Sequence, residues 1–383
     1  MRKDFLLEPE TIFLNHGSFG ATPRVVFEAY QQYQRQLETQ PVRFFQREAQ
    51  PALAKAREAL GAYLGVDGQD LVFVHNATFG VNAIARSLAL GPGDEVLTSD
   101  QEYGACNNTW QFLSKKQGFS YVHQSLSFPA SSREAIVEEF WRGVNEKTKV
   151  IFLSHITSPT AFIFPIEEIC ARARAHHILT IIDGAHVPGQ LDLNLHDLAA
   201  DVYTGNCHKW LCSPKSAAFL YIHPDKQHLI EPLVVSWGRS VLPQDSLGSQ
   251  FLDDYSWLGT EDIAAYLSVV DAIHFQKSHN WPLLRQACHE RLKLSLNHIN
   301  ALTGLPSYYP DDSFYAQMAI AALPKGTNLA KLKEKLYHDY HIEIPLTEHR
   351  GQGFVRISVQ VYTSAEDLMA LVKALKQELL FAQ

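Results

Sequence analysis

Two short stretches hold residue types and spacings suited to chemistry on a bound ligand. The first is DVYTGNCHKW, Asp201 to Trp210, where a short apolar strand runs into small and polar residues and then Lys209, flanked by His208 and Trp210. The following segment, SAAFLYIH from Ser216 to His223, is apolar again. A lysine held between two buried strands loses solvation, which lowers its pKa and favours the neutral, nucleophilic amine. That is the state a Schiff-base lysine requires. On this stretch alone the competing reading is a lysine at a strand end that points to solvent. The second stretch, ILTIIDGAHVPGQ from Ile178 to Gln190, is an apolar run that ends on Asp183, 26 residues before Lys209. An acid at the carboxyl end of a buried parallel strand stands where α/β sheets meet their ligands.

Such an acid can pair with the protonated ring nitrogen of pyridoxal 5′-phosphate while a lysine holds its aldehyde, which keeps the ring positive and able to stabilise a carbanion at a substrate Cα. A third stretch suits the phosphate of such a ligand. DLVFVHN reads as a strand, and ATFGVNAIARSLALGPGD as a helix with a stop at Gly91-Pro92-Gly93-Asp94. Val81, Ile84, Ala85 and Leu88 fall at i, i+3, i+4 and i+7, one apolar face. Ala77 and Thr78 therefore stand at a helix N-terminus, whose free N–H groups and positive dipole end attract phosphate, with the Thr78 hydroxyl as a further donor. A threonine that merely caps the helix is the alternative.

With DGAH, a following strand and HKW in place, the chain resembles the class V aminotransferase family of fold-type I pyridoxal-phosphate enzymes. NHGSFGATP, DGAHVPGQ and GNCHKW make it similar to the isopenicillin N epimerase-like branch, over nearly its whole length. The resemblance implies a role for each of several residues. Tyr103 would stack on the pyridine ring, an ordinary tyrosine being the rival reading. His186 matches the position that hydrogen-bonds the ring O3′. Ser158, in HITS, stands where the cysteine desulfurases carry an asparagine that contacts the ring hydroxyl. Asn206 takes the place of a phosphate-binding serine, and an amide can donate as a hydroxyl does. His208 matches the histidine before the lysine. Arg356, in VRISVQVYTS, matches the arginine that grips the substrate α-carboxylate, against the alternative of an outward residue on an edge strand. Thr260, in WLGTE, would reach the phosphate of the neighbouring subunit in a homodimer, or simply cap a helix starting near Glu261. The Asn15–Pro23 loop would lie at the mouth of the site. PVRFFQRE, Pro41 to Glu48, reads equally as a substrate or dimer contact and as a packed helix start.

These residues are far apart in sequence, and the elements between them must bring them together. Seven candidate strands alternate with helices between residues 70 and 223, which predicts a largely parallel sheet with right-handed crossovers and its strand-end loops gathered at one edge. A helix is expected over Val25–Ala62, interrupted near Pro41. Toward the C-terminus the pattern predicts a long helix (Pro282–Leu302), a strand (Ser313–Leu323), a helix (Asn328–His341) and paired strands over Ile342–Val361. A final helix follows, with Leu368, Leu371, Val372 and Leu375 on one face. The fold class is therefore α/β. The resemblance refines it to the fold-type I architecture, a large domain over 25–265 with a mostly parallel seven-stranded sheet, and a small α+β domain from 1–24 and 266–383.

The bulk numbers bound the partners. A chain of 383 residues outgrows a single core. A net charge of −8 without a basic run disfavours nucleic acid. No apolar run reaches the ~18 residues of a membrane span. The opening MRKDFLLEPETIFLNHG turns acidic and polar too soon for a secretory signal. Five scattered cysteines point to reduced thiols in the cytoplasm. No metal site is expected at His176-His177 or at His338 and His341. The expected substrate is a small amino-acid-like molecule, and the expected reaction, implied by the branch it resembles, is epimerisation at Cα. Deprotonation at Cα by Lys209 also opens C–S lyase and aminotransferase chemistry, and a non-catalytic pyridoxal-phosphate-binding protein is a further alternative. A persulfide mechanism is disfavoured because the loop IPLTEHRGQGF lacks the required cysteine.

Overall fold

The computed structural model describes residues 1–129 and 131–380. A two-residue strand, β1 (Ile12–Phe13), comes first. Seven strands then alternate with helices: β2 (Leu71–Val74), β3 (Glu95–Ser99), β4 (Ser120–Gln124), β5 (Thr148–Ser154), β6 (Leu179–Asp183), β7 (Val202–Asn206) and β8 (Ala218–Ile222). They form one sheet in the order β2-β8-β7-β6-β5-β3-β4. Pairing is parallel from β4 through β7, and β8 runs antiparallel to both β7 and β2. β2 consequently points the same way as the parallel strands. The C-terminal ends of β2, β3, β5, β6 and β7 share one edge, which carries Ser154, Asp183 and Asn206.

Both faces of the sheet are covered, which is why its central strands read as near-continuous apolar runs. Val72, Val74, Ile181, Val202 and Leu220 pack on one side against Val81 and Ile84 of the helix Ala77–Ser87, all inaccessible or nearly so. Burying two such side chains stabilises the contact by about 3–6 kcal/mol. Gly80 lets this helix lie close to the sheet, since a Cβ there would meet Thr204 Oγ1 at 2.4 Å. Leu71, Phe73, Leu97, Ile151, Ile182 and Phe219 face the opposite side and join the larger core.

The C-terminal domain is built on a three-stranded antiparallel sheet. Its strands follow β9 (Met318–Ala322) and β10 (Ile342–Glu343) as β11 (Leu346–His349) and β12 (Gln352–Ser358), in the order β11-β12-β9. β10 pairs instead with β1, in parallel. The helices Trp281–Thr303 and Ala365–Leu380 belong to the same region, with Leu368, Leu371 and Leu375 buried.

Three expected elements differ in extent. The run expected as a strand from Ser313 begins with a 3-10 turn at Asp312–Phe314, because the Asp311 side chain accepts the Ser313 N–H and offers the backbone a local alternative to pairing. The helix expected near Glu261 starts at Ala264, where the Asp262 carboxylate accepts the Ala264 N–H at 2.9 Å. The break near Pro41 falls at Gln40, between the helix Arg24–Thr39 and a short helical turn, Pro41–Arg43, that continues through a π-helical turn, Phe44–Glu48, into the helix Ala49–Leu64. Phe44 is buried there and Phe45 meets Trp257 edge-on at 5.4 Å.

Candidate active site

The edge formed by the strand ends opens into a cavity of about 500 Å³. Nine of the eleven expected site residues line it: Ala77, Thr78 and Tyr103 after β2 and β3, Ser158 after β5, Asp183 and His186 at the end of β6, and Asn206, His208 and Lys209 after β7. The sheet register explains their convergence. Asn206 pairs with Ala218 across β7 and β8, Val74 pairs with the same Ala218 across β2, and Ser154 pairs with Asp183. Lys209 lies in the connection from β7 to β8, so two strand ends fix the backbone that carries it.

The Lys209 Nζ lies 3.2 Å from His186 Nε2. Burial lowers the amine to about 8, against an opposing pull from Asp183, so the neutral amine is far better populated near physiological pH than in an ordinary lysine. His186 is pushed well below its ordinary value by burial and by the lysine charge, and its other nitrogen faces the Trp210 indole N–H at 3.5 Å. The competing reading of Lys209 as a solvent-pointing strand-end lysine does not describe this geometry.

Asp183 is 3% exposed. Its Oδ1 accepts the Ala185 N–H at 2.9 Å, while Oδ2 meets the Cys106 thiol at 3.6 Å. Burial raises its pKa, only partly offset by the Ala185 N–H and by Lys209. A buried carboxylate whose outer oxygen has a thiol as its described partner fits a cationic N–H arriving from the cavity, such as a protonated pyridine nitrogen. At the end of the cavity beside the helix Ala77–Ser87, Asn206 Oδ1 accepts the Ala77 N–H at 2.9 Å, which leaves the amide hydrogens of Asn206 as donors. Asn76 caps the helix by accepting the Phe79 N–H, so Thr78 is not the cap. His208 Nδ1 is engaged by the Ala217 carbonyl at 3.1 Å, and burial lowers this imidazole to about 4.

Arg356 and Thr260 do not line the cavity. β12 is the middle strand of its sheet, so Arg356 is not an edge residue; it is 6% exposed, and burial lowers it to about 10. Its guanidinium donates to the Ser158 carbonyl at 2.5 Å and to Ser18 Oγ at 3.1 Å, two residues of the cavity wall, while its Nε is buried without a partner among the described residues. Thr260 is exposed and does not cap the helix, whose N-cap is Ile263; the nearby Asp262 carboxylate accepts the Ala264 N–H.

The Asn15–Pro23 loop reaches the mouth through Ser18 and Phe19. His16 anchors it, with Nε2 3.0 Å from the Lys209 carbonyl and Nδ1 2.9 Å from the Tyr362 hydroxyl. Gly20 crosses the same backbone at φ +72, where a Cβ would sit 2.0 Å from the His208 carbonyl. Sequence reasoning missed His75 and Ser154 in the wall and Glu102 beside it. Glu102 accepts from Ser99, from the Ser154 hydroxyl and from the Ser154 N–H at 2.6–2.8 Å, yet burial still pushes it up to about 7. The acid adjacent to Tyr103 was its one available signal.

Comparison with known proteins gives the same architecture. The Aminotransferase class-V family profile matches residues 12–371. Isopenicillin N epimerase of Amycolatopsis lactamdurans is 32% identical over 98% of this chain and 97% of its own. The hercynylcysteine sulfoxide lyase of Schizosaccharomyces pombe is 24% identical over 98% and 96%. Among solved structures, the cystine C-S lyase C-DES in complex with cysteine persulfide superposes with a TM-score of 0.84 at 21% identity, covering 97% and 98% of the two chains. A C-DES mutant with glycine covalently linked to its PLP cofactor gives 0.84 at 20%, covering 99% of each.

Proposed function

The chain belongs to the class V aminotransferase family, and from that premise we propose that it epimerises an amino acid or amino-acid-like substrate at Cα. It is a pyridoxal 5′-phosphate enzyme, and the bound cofactor supplies an electron-withdrawing ring able to stabilise negative charge at that carbon. The observation that carries the residue assignments is one cavity holding a desolvated lysine amine, a histidine 3.2 Å from it, and a buried carboxylate with no ion-pair partner among the described residues. Lys209 holds the cofactor and moves the Cα proton. Asp183 keeps the ring nitrogen protonated, and His186 and Ser158 stand on the side of the ring hydroxyl. Thr78 and Asn206 hold the phosphate, with Ala77 contributing by orienting Asn206 and His208 closing the same end. Tyr103 covers the ring. Arg356 grips the substrate carboxylate by exchanging its bond to Ser18 for a bidentate one.

The remaining parts of the reading concern assembly and location. Thr260 completes the phosphate site of a second copy in a homodimer, supported by its exposed position and by the absence of a capping role. The chain divides into a large domain over 25–265 and a small one from 1–24 and 266–383, supported by the pairing of β1 with β10. Cytoplasmic residence is supported by five free, buried cysteines. No helix of the described residues is long and apolar enough to cross a membrane.

A C–S lyase is the second reading, supported by the likeness to the hercynylcysteine sulfoxide lyase. Arg350 and Gly351 make the turn between β11 and β12 without a cysteine, which disfavours a persulfide on this loop and leaves the lyase open. Incubating the protein with a panel of L- and D-amino acids and cysteine derivatives separates the readings. Inverted product by chiral chromatography supports epimerisation, pyruvate with sulfide or sulfenate supports the lyase, and a keto acid without C–S cleavage supports transamination. Absence of all three with cofactor bound would reject catalysis.

A further inference from the structure

The donors read above as the phosphate site share a weakness. Thr78 and Asn206 donate hydrogen bonds but bring no charge, and His208 is held neutral by burial. A phosphate monoester carries close to two negative charges at neutral pH. Lys209 and Arg356 are committed elsewhere, to the aldehyde and the carboxylate. The counter-charge has to come from another group in the wall.

His75 is placed for it. It follows the last residue of β2 and lines the cavity together with Asn76, Thr78, Asn206 and Ser216. Its side chain is 42% exposed, unlike the buried His16, His155 and His186 that serve as neutral packing or hydrogen-bonding groups. The ring is fixed from behind. Nδ1 lies 3.0 Å from the Tyr266 hydroxyl and 3.6 Å from Glu261 Oε2, and Phe79 packs on it at 5.3 Å. These contacts engage Nδ1, while Nε2 has no hydrogen-bond partner among the described residues and the side chain belongs to the cavity wall. The Tyr266 hydroxyl and the Glu261 carboxylate behind the imidazole fix its orientation.

We infer that His75, oriented by Tyr266 and backed by the Glu261 carboxylate, is a phosphate-binding residue of this chain and supplies positive charge to the cofactor's phosphate through Nε2. The inference rests on reading the N-terminal end of the helix Ala77–Ser87 as the phosphate site. A charge-assisted hydrogen bond to phosphate contributes about 1.5–3 kcal/mol, a factor of roughly 10–100 in Kd. Glu261 is also the immediate neighbour of Thr260, so the same relay runs into the loop proposed to face a second copy.

The test compares two probes on the full chain stripped of cofactor: pyridoxal 5′-phosphate, and pyridoxal, which lacks the phosphate. Spectrophotometric titration gives the Kd of each for the parent protein and for His75→Ala, His75→Gln, Glu261→Gln and Thr78→Ala. His75→Ala should weaken pyridoxal 5′-phosphate about tenfold or more while pyridoxal changes less than about twofold. His75→Gln, a donor without charge, and Glu261→Gln should fall between that variant and the parent. An unchanged preference for the phosphorylated probe in His75→Ala overturns the inference. So does equal weakening of both probes, which marks a purely structural role. Thr78→Ala tells the two levels apart: if it lowers the preference and His75→Ala does not, only the role of His75 falls. If neither does, the phosphate-site reading falls with it.

Discussion

Replacing Asp183 by asparagine removes one charge and almost no volume from the floor of the cavity, so its effects isolate electrostatics from packing. The carboxylate is 3% exposed, and its described partners are the Ala185 N–H at 2.9 Å and the Cys106 thiol at 3.6 Å, neither of them a cation. On the proposed assignment the missing cation is the ring N–H of the cofactor. Removing one partner of a buried ion pair costs about 3–5 kcal/mol, which at about 1.4 kcal/mol per decade is a factor of roughly 10² to 10³·⁵ in the rate of Cα deprotonation. The assay is Cα proton exchange in D₂O followed by NMR, which reads deprotonation whichever reaction follows it. Exchange within about threefold of the parent rate, with cofactor binding verified by its absorbance, would refute the pairing, because a loss of about 3 kcal/mol cannot hide in so small a change. The cofactor-free chain should respond in the opposite sense. Burial raises the folded pKa of Asp183, so the carboxylate disfavours the folded state once pH exceeds the unfolded value of 3.8. Asp183→Asn should therefore raise the thermal stability of the stripped protein at neutral pH, and that gain should vanish as pH falls below the unfolded value. A destabilised apoprotein at pH 7 would show that Asp183 already has a compensating cation.

Other consequences are as direct. Because burial lowers Lys209 to about 8, capture of pyridoxal 5′-phosphate by the stripped chain should speed up about tenfold per pH unit below that value and level off above it, measured by stopped-flow absorbance; a rise continuing to pH 10 would mark an ordinary lysine. Borohydride should fix the cofactor at Lys209 and leave Lys209→Ala unlabelled, read by peptide mass spectrometry. Arg356→Gln should raise KM for an α-amino acid about 10²-fold while changing kcat much less, since the lost contact is made equally in the ground state and the transition state. Mixing the defective Lys209→Ala and Thr260→Ala chains should restore partial activity through hybrid dimers with one intact site. No rescue after verified subunit exchange would reject the shared phosphate site.

Much of the frame was legible because central parallel strands leave no choice of pattern. β5 and β6 are covered on both faces, so their sequences are apolar until the edge, and the residue that breaks the run, Asp183, is the one that meets the cavity. The helix Ala77–Ser87 announced itself by an apolar face on a regular period, and its start fixed the position of Thr78. What failed were places where one local side-chain bond outweighs the pattern. Asp262 holds the chain in a local turn by accepting the Ala264 N–H ahead of the helix, and Asp311 turns the start of an apolar run away from its sheet. His75 and Glu102 were illegible for another reason. Their environment comes from residues distant in sequence, Tyr266 and Glu261 for one and Ser154 for the other, and no spacing rule connects them.

The end of the cavity at the helix Ala77–Ser87 shows how residues read one by one along the chain change their meaning in the fold. Read along the chain, Ala77, Thr78 and Asn206 look like independent donors to one ligand. In the fold they form a chain of dependence. The Ala77 N–H is spent on Asn206 Oδ1, and that bond decides which face of the amide can donate to the cavity. Asn76 spends its own side chain on the Phe79 N–H. Of the first N–H groups of the helix, two are therefore already satisfied by side chains. On the proposed assignment, the positive end of the helix acts on the ligand through the Thr78 position and through the amide that Ala77 orients. A site assembled this way is specific in shape but short of charge, and a half-exposed histidine with a carboxylate behind it is the group this chain offers to make up the difference.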